Sequence, residues 1–279
     1  MKSIYRANLF FLIVFAVILT GAFFLGYLIT AVPSMPHWAR ALLQYVLLFG
    51  LPSFLLMRWF HLSFRDVGFI APPKPWITLP LIVLFAVLIQ PPLMLVSSWM
   101  EQFFPSPVTA SMDFILKDSW PLMLLGSALL PAFFEEWICR GVFLSDYMER
   151  SSFWAAAASG LVFAMLHLNL QQFPYAFLFG FLISFPMIAT GCVFLPMLAH
   201  FLINAMQLVT ARTGFAILET ESQLILVSLP CLIAAAGILF LLYRLFPRPA
   251  GRRDPVRLQA MLPLLYSVLL FILTMLLLR

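Results

Sequence analysis

Residues 7–32 read ANLFFLIVFAVILTGAFFLGYLITAV and contain no Asp, Glu, Lys or Arg. Because the hydrocarbon layer of a bilayer is about 30 Å thick and a helix rises about 1.5 Å per residue, about 20 apolar residues span it. The run is also longer than the roughly 7–15 residues of a signal-peptide core. We therefore expect a retained membrane anchor after Lys2 and Arg6.

The composition of the whole chain also indicates a membrane protein. Of the 279 residues, 63% are hydrophobic and 10% are charged, and the mean hydropathy is +1.04. A soluble domain carries about a quarter of charged residues, so a water-soluble enzyme and a disordered chain are both excluded. The three cysteines lie in or beside apolar segments and indicate no disulfide framework. The net charge of +5 does not indicate nucleic-acid binding, because the basic residues lie between apolar segments.

The apolar segments predict an all-α, polytopic bundle of about nine transmembrane helices. They cover residues 7–32, 39–59, 76–99, 121–147, 152–168, 173–190, 194–211, 222–245 and 258–278. The connection near Gly191 is short, so the number is eight if the sixth and seventh spans form one re-entrant feature. We divide the chain into N-terminal membrane helices with an outer loop (1–120), a core of four spans (121–211) and C-terminal membrane helices (212–279).

The distribution of Lys and Arg predicts the orientation. If the N-terminus is cytoplasmic, the inner ends carry Lys2, Arg6, Arg58, Arg65, Lys74, Arg150, Arg244, Arg248, Arg252, Arg253 and Arg257. The outer ends then carry only Arg40, Lys117, Arg212 and Arg279. Cytoplasmic loops are the ones enriched in Lys and Arg. We expect a multi-pass integral membrane protein with a cytoplasmic N-terminus, in the plasma membrane if the source is bacterial.

A few polar side chains interrupt the predicted core spans. They are Glu135, Glu136 and Arg140 in the fourth span, His167 in the fifth, and His200 and Asn204 in the seventh. A charge at the centre of a membrane helix costs about 2.5–3.5 kcal/mol on insertion scales, and such residues usually face a cavity. Glu136 and Arg140 are four residues apart and can pair on one helix face, whereas Glu135 lies about 100° away and points at another helix.

This polar set contains the groups that amide hydrolysis needs. A carboxylate can deprotonate water, and preorganised donors can stabilise the oxyanion. Two His and one Glu are equally the ligand set of zinc hydrolases, so Glu135, His167 and His200 can also hold a divalent metal such as zinc. The spacing leaves both versions open. A proton-coupled transporter that uses the buried Glu and His as a relay is an alternative, although no internal half-repeat supports it. A non-catalytic scaffold or bacteriocin-immunity protein is a third.

Three motifs resemble those of the CPBP family (CAAX protease and bacteriocin-processing, also called ABI). EEWICRG at residues 135–141 resembles EExxxRG, FAMLH at 163–167 resembles FxxxH, and HFLIN at 200–204 resembles HxxxN. Their order also matches, and each lies in an apolar span. One departure is Cys139, where the family usually carries an aromatic residue.

The resemblance implies an intramembrane endopeptidase, similar to the Ras-converting CAAX endopeptidases, that acts on a membrane-embedded or lipidated peptide. By that likeness, Glu135 and His167 activate the hydrolytic water, and His200 with Asn204 stabilises the oxyanion. The supporting residues would be Glu136, Arg140 and Phe163. The family is commonly described as metallo-, yet a metal-free glutamate mechanism is also argued for it, so the resemblance leaves the cofactor open.

Overall fold

The computed structural model describes residues 3–214, 218, 220–247 and 256–277, and within these ranges the secondary structure is helical, without strands. The helices are α1 (Ser3–Thr30), α2 (His37–Trp59), α3 (Pro75–Glu101), α4 (Pro107–Ile115), α5 (Trp120–Tyr147), α6 (Ser152–Leu166), α7 (Phe173–Thr190), α8 (Phe194–Thr213), α9 (Glu221–Leu245) and α10 (Leu258–Leu277). The chain is an all-α polytopic helix bundle, as its composition predicts.

Eight of these helices are long and apolar enough to cross a membrane, namely α1, α2, α3, α5, α7, α8, α9 and α10. The remaining predicted span, the fifth in chain order, is α6, which has only 15 residues and is therefore about 22 Å long. The sixth and seventh predicted spans are separate helices, α7 and α8, and each is long enough on its own. Gly191 caps α7 with a φ of 74°, a conformation that glycine adopts without strain.

Two of the spanning helices contain wide, π-helical turns. Residues Tyr45–Gly50 form one in α2, and α5 contains two, Leu125–Leu129 and Trp137–Leu144. Pro131 follows the first wide turn of α5, and a proline removes a backbone N–H and so disturbs the regular helical hydrogen bonding. Such turns occur frequently at functional sites, and here they flank the Glu135–Glu136 pair.

Helix α5 is the most enclosed of the spanning helices. In α5, 61% of the most apolar 18-residue stretch is buried inside the protein, whereas the corresponding share in α9 is 22%. Beside α5, helices α6 and α7 contact each other through glycines. A Cβ on Gly160 would lie 2.9 Å from the carbonyl oxygen of Phe177, so only a glycine allows this approach. The polar residues of α5 therefore lie at the centre of the bundle.

The basic side chains of the described residues are divided unequally between the two ends of the bundle. Seven are at the end where α1 begins: Arg6, Arg58, Arg65, Lys74, Arg150, Arg244 and Arg257. Three are at the opposite end: Arg40, Lys117 and Arg212. Lys2, Arg248, Arg252, Arg253 and Arg279, which also entered the predicted orientation, lie outside the described residues. The direction of insertion stays a prediction.

Candidate active site

One cavity of about 440 Å³ is lined by residues of α2 to α8. Its wall includes Glu135, His167, His200 and Asn204, which come from two helices, α5 and α8, and from the segment after α6. The cavity extends from these side chains to Glu101 at the end of α3. It therefore opens at the end of the bundle where α3 and α8 end.

Glu135 is held by a side chain that the sequence analysis missed. The Tyr45 hydroxyl donates a hydrogen bond of 2.7 Å to Oε1 of Glu135, which is only 8% exposed. Tyr45 begins the wide turn of α2, and its ring stacks on Phe134 with the ring centroids 5.9 Å apart. In the sequence, Tyr45 is indistinguishable from the many packing aromatics. Its hydroxyl leaves Oε2 of Glu135 as the oxygen available for chemistry.

Glu136 joins α5 to α8. Its Oε1 accepts hydrogen bonds from Nη1 of Arg140 at 2.9 Å and from Nδ1 of His200 at 2.8 Å. The first contact is the i, i+4 pair expected from the spacing, and both side chains of that pair are fully buried. Arg140 also donates from Nη2 to the carbonyl oxygen of Gly180 at 2.8 Å. Buried charges are tolerated when they are paired in this way.

The ring of Phe163 packs against Arg140 and against the two imidazoles of the site. The Arg140 guanidinium lies 4.5 Å from the centroid of its ring, and the ring centroids of His167 and His200 lie 4.9 and 5.6 Å from it. Its carbonyl oxygen accepts a hydrogen bond of 3.0 Å from Nδ1 of His167. Since a carbonyl can only accept, Nδ1 carries the proton, and Nε2 of a neutral His167 has the free lone pair.

His200 and Asn204 lie one turn apart on α8 and both line the cavity. Because Nδ1 of His200 donates to Glu136, Nε2 can also donate only when the ring is an imidazolium. Glu136 is placed to balance that charge. The carboxamide of Asn204 can donate without any change of protonation. These two side chains are therefore unequal as oxyanion donors.

The predicted zinc ligands already have other partners. Nδ1 of His200 contacts Glu136, and Oε1 of Glu135 contacts Tyr45. Throughout the described ranges, no group of three His, Cys, Asp or Glu side chains is arranged to hold a metal ion. These hydrogen bonds leave Nε2 of both imidazoles and Oε2 of Glu135 for a ligand, and metal-bound imidazoles commonly make such outer hydrogen bonds. The three side chains Glu135, His167 and His200 are nevertheless not arranged as a three-ligand metal group in the described part of the chain.

Like Tyr45, the pair of Gln171 and Ser97 in the cavity wall was missed by the sequence analysis. Gln171 is 1% exposed, and its Nε2 donates to Oγ of Ser97 at 3.2 Å. Both residues line the cavity between the reacting groups and the mouth. A carboxamide in an otherwise apolar region was the available signal, but Gln171 lies in the short connection between two predicted spans, where polar residues are expected.

Comparison with known proteins links this site to a family. Residues 117–206 match the family model described as "Type II CAAX prenyl endopeptidase Rce1-like". A protein of Bacillus subtilis (strain 168), named "Putative membrane peptidase YdiL", is 28% identical over 111 residues, which are 38% of this chain and 46% of that protein. The match thus spans about half the length of this curated relative. No solved structure matches the chain. The matched segment contains all three motifs, and these comparisons confirm that this part of the chain resembles the CPBP family of membrane proteases.

Proposed function

We propose that the protein is an intramembrane endopeptidase that hydrolyses a peptide bond of a membrane-associated or lipidated peptide. The observation that carries the proposal is the cavity whose wall contains Glu135, His167, His200 and Asn204. Four such polar side chains inside an apolar bundle are expensive to bury and usually mark a functional site. The family match over residues 117–206 supports hydrolysis over the other functions considered.

In the proposed first step, a water molecule is positioned between Glu135 and Nε2 of His167. Oε2 of Glu135 takes a proton from this water, and the water oxygen attacks the carbonyl carbon of the scissile bond. The carbonyl oxygen becomes an oxyanion, which accepts hydrogen bonds from Asn204 and from His200 as an imidazolium. Glu136 accepts the Nδ1 proton of that imidazolium and stabilises its charge, with the same oxygen that also accepts from Arg140.

In the second step, the tetrahedral intermediate collapses. The C–N bond breaks, and the leaving nitrogen takes the proton that Glu135 had received from water. The products are a carboxylic acid and an amine, which become a carboxylate and an ammonium when the second proton of the water passes from the acid to the amine, and Glu135 returns to its ionised form. The step consumes one water molecule and needs no other reactant.

The proposal includes the side of the membrane to which the cavity opens. The end of the bundle with seven of the described basic residues would be cytoplasmic. The cavity opens at the opposite end, beside Glu101, and would receive its substrate from the outer side. Reporter fusions to the segments before α3 and after α8 would check this. An outward location of the segment before α3 would reverse the assignment.

The test is cleavage of a membrane-tethered peptide by the purified protein in liposomes. Glu135→Gln should reduce the rate by at least the ~10²–10⁴-fold that a general base contributes. Glu221→Gln is the matched control, because Glu221 is exposed in the first turn of α9 and does not line the cavity. An undiminished rate in Glu135→Gln would refute the proposal. Proton-coupled flux that is lost in this variant, without any cleavage, would favour the transporter alternative.

A further inference from the structure

Tyr175 is a polar residue of the cavity wall that the proposed mechanism does not use. It lies in the first turn of α7, and its side chain lines the cavity together with those of Gln172 and Phe179. The other tyrosine in the described part of the wall is Tyr45, whose hydroxyl already donates to Glu135. Tyr175 therefore supplies a second phenol to a wall in which the first one is engaged.

The face of α7 that carries Tyr175 is turned toward the reacting groups. Phe179 lies one turn further along this face, and its ring centroid is 5.1 Å from that of His200. The charge of Glu135 acts on the Tyr175 hydroxyl, and so does the charge of Glu101 at the mouth of the cavity. The hydroxyl thus belongs to the part of the wall that joins the catalytic carboxylate to the mouth.

The surroundings of the Tyr175 hydroxyl leave its proton for a ligand. The side chain of Gln172 lies within hydrogen-bonding reach of the hydroxyl. A phenol has one proton to donate and can also accept, and the amide of a glutamine can donate to it. An amide that donates to the phenol oxygen orients the hydroxyl and does not use its proton. Both side chains are partly exposed and both line the cavity, so this proton can reach a bound molecule.

A peptide in the cavity offers the matching acceptors. Every residue of a peptide carries a backbone carbonyl, which is a strong acceptor and is costly to leave unpaired away from water. A chain whose scissile carbonyl lies beside Glu135 and Asn204 continues toward the mouth along the wall that contains Tyr175. A donor at a fixed point of this path pairs with one carbonyl of the chain, and this pairing determines which peptide bond lies at the carboxylate.

We propose that the Tyr175 hydroxyl, oriented by Gln172, donates a hydrogen bond to a backbone carbonyl of the bound peptide on the mouth side of the scissile bond, and that this contact sets the register of the peptide in the cavity. The inference rests on the proposed function for the identity of the cleaved bond. Tyr175 binds the substrate directly, whereas Gln172 is a positioning residue that acts through Tyr175.

The experiment uses the full chain in liposomes and a neutral, N-terminally palmitoylated peptide of Ala, Leu and Ser that carries an environment-sensitive fluorophore. In a series of derivatives, one backbone carbonyl oxygen at a time is exchanged for sulfur, which is a weaker hydrogen-bond acceptor. Affinity is measured by fluorescence in a Glu135→Gln background, in which the bound peptide stays intact. The values of kcat and KM and the cleaved bonds are determined with Glu135 present, the bonds by mass spectrometry of the products.

Tyr175→Phe should weaken binding of the parent peptide about two- to tenfold, which corresponds to the loss of one hydrogen bond between neutral groups. KM should rise by the same factor while kcat changes little, because the bond is made equally in the bound state and in the transition state. Cleavage should occur at one bond in the unchanged protein and also at neighbouring bonds in Tyr175→Phe.

Two double comparisons test the contact itself. One sulfur exchange in the series should weaken binding when Tyr175 is present and should have no further effect in Tyr175→Phe. Gln172→Met should weaken binding less than Tyr175→Phe does, and should add nothing to it. Tyr5→Phe is the matched control, because Tyr5 is likewise partly buried against the main core of the bundle but does not line the cavity.

Unchanged affinity in Tyr175→Phe would overturn the inference, and so would an equal loss of affinity in Tyr5→Phe. A series in which no sulfur exchange depends on Tyr175 would overturn it as well. Binding with the expected dependence on Tyr175 but without cleavage would leave the inference standing and would contradict the proposed hydrolysis. The two proposals therefore fail by different readouts.

Discussion

Tyr45→Phe is expected to lower kcat about ten- to hundredfold while KM changes little. The substitution removes one oxygen atom, the donor of the 2.7 Å hydrogen bond to Oε1 of Glu135. The ring itself can keep its contacts with Phe49 and Phe134, whose centroids lie 4.8 and 5.9 Å away. A hydrogen bond to a charged group contributes about 1.5–3 kcal/mol, and about 1.36 kcal/mol corresponds to a tenfold change in rate. The loss of kcat is close to hundredfold if the whole free energy of this hydrogen bond stabilises the transition state.

The assay is the cleavage of a tethered, internally quenched peptide in liposomes over a range of peptide concentrations. Tyr147→Phe is the matched control, since its hydroxyl donates to Oδ1 of Asn8 at 2.7 Å and does not line the cavity. Both variants lose one hydroxyl hydrogen bond, although the bond of Tyr147 has a neutral acceptor and should contribute less to stability. Only Tyr45→Phe should lose kcat.

An unchanged kcat in Tyr45→Phe would refute the idea that this hydroxyl positions the catalytic carboxylate. A loss that Tyr147→Phe reproduces would attribute the effect to destabilisation of the bundle. A rise in KM at constant kcat would place Tyr45 in contact with the substrate only.

Three further predictions follow from the contacts of the site. Glu136→Gln removes the negative partner of a fully buried pair, so we expect a loss of about 3–5 kcal/mol in the free energy of unfolding in detergent together with a loss of cleavage; a stable, active variant would contradict this. Gly180→Ala places a Cβ 3.1 Å from Nη2 of Arg140 and 3.0 Å from the Cα of Gly160, and should destabilise the protein by about 1–3 kcal/mol; Gly237→Ala, where nothing lies within 4 Å, should be neutral or stabilising. Treatment with a strong chelator should leave the cleavage rate unchanged, because no three-ligand group exists among the described residues. Inactivation by the chelator that added zinc reverses would instead support a metal-dependent site.

Most of the fold was predictable because its signals are local. The composition indicates a membrane bundle, and the helices of residues Phe173–Thr190 and Glu221–Leu245 begin and end within one residue of the predicted spans. The number of full spans was harder to predict, because α6 is apolar throughout but only 15 residues long. The hydropathy of a segment does not reveal where its hydrogen-bonded helix ends.

The candidate site was predictable in its members but not in its connections. Helical spacing predicts the pair of Glu136 and Arg140, because both lie on one helix face. It does not predict that the same carboxylate oxygen accepts from His200, which is 64 residues further along the chain. Tyr45 was missed for the same reason, since it lies 90 residues from Glu135.

By itself, the sequence determined that this chain folds in lipid as a helix bundle, and which few polar side chains had to be accommodated there. Both conclusions depend on transfer free energies and on the helical repeat, which act within single segments. Only the tertiary structure decided which atom of each polar group is engaged and which faces the cavity. Those contacts join separate helices, and their geometry is set by the close packing of Gly160, Gly180 and Phe163 rather than by any local pattern.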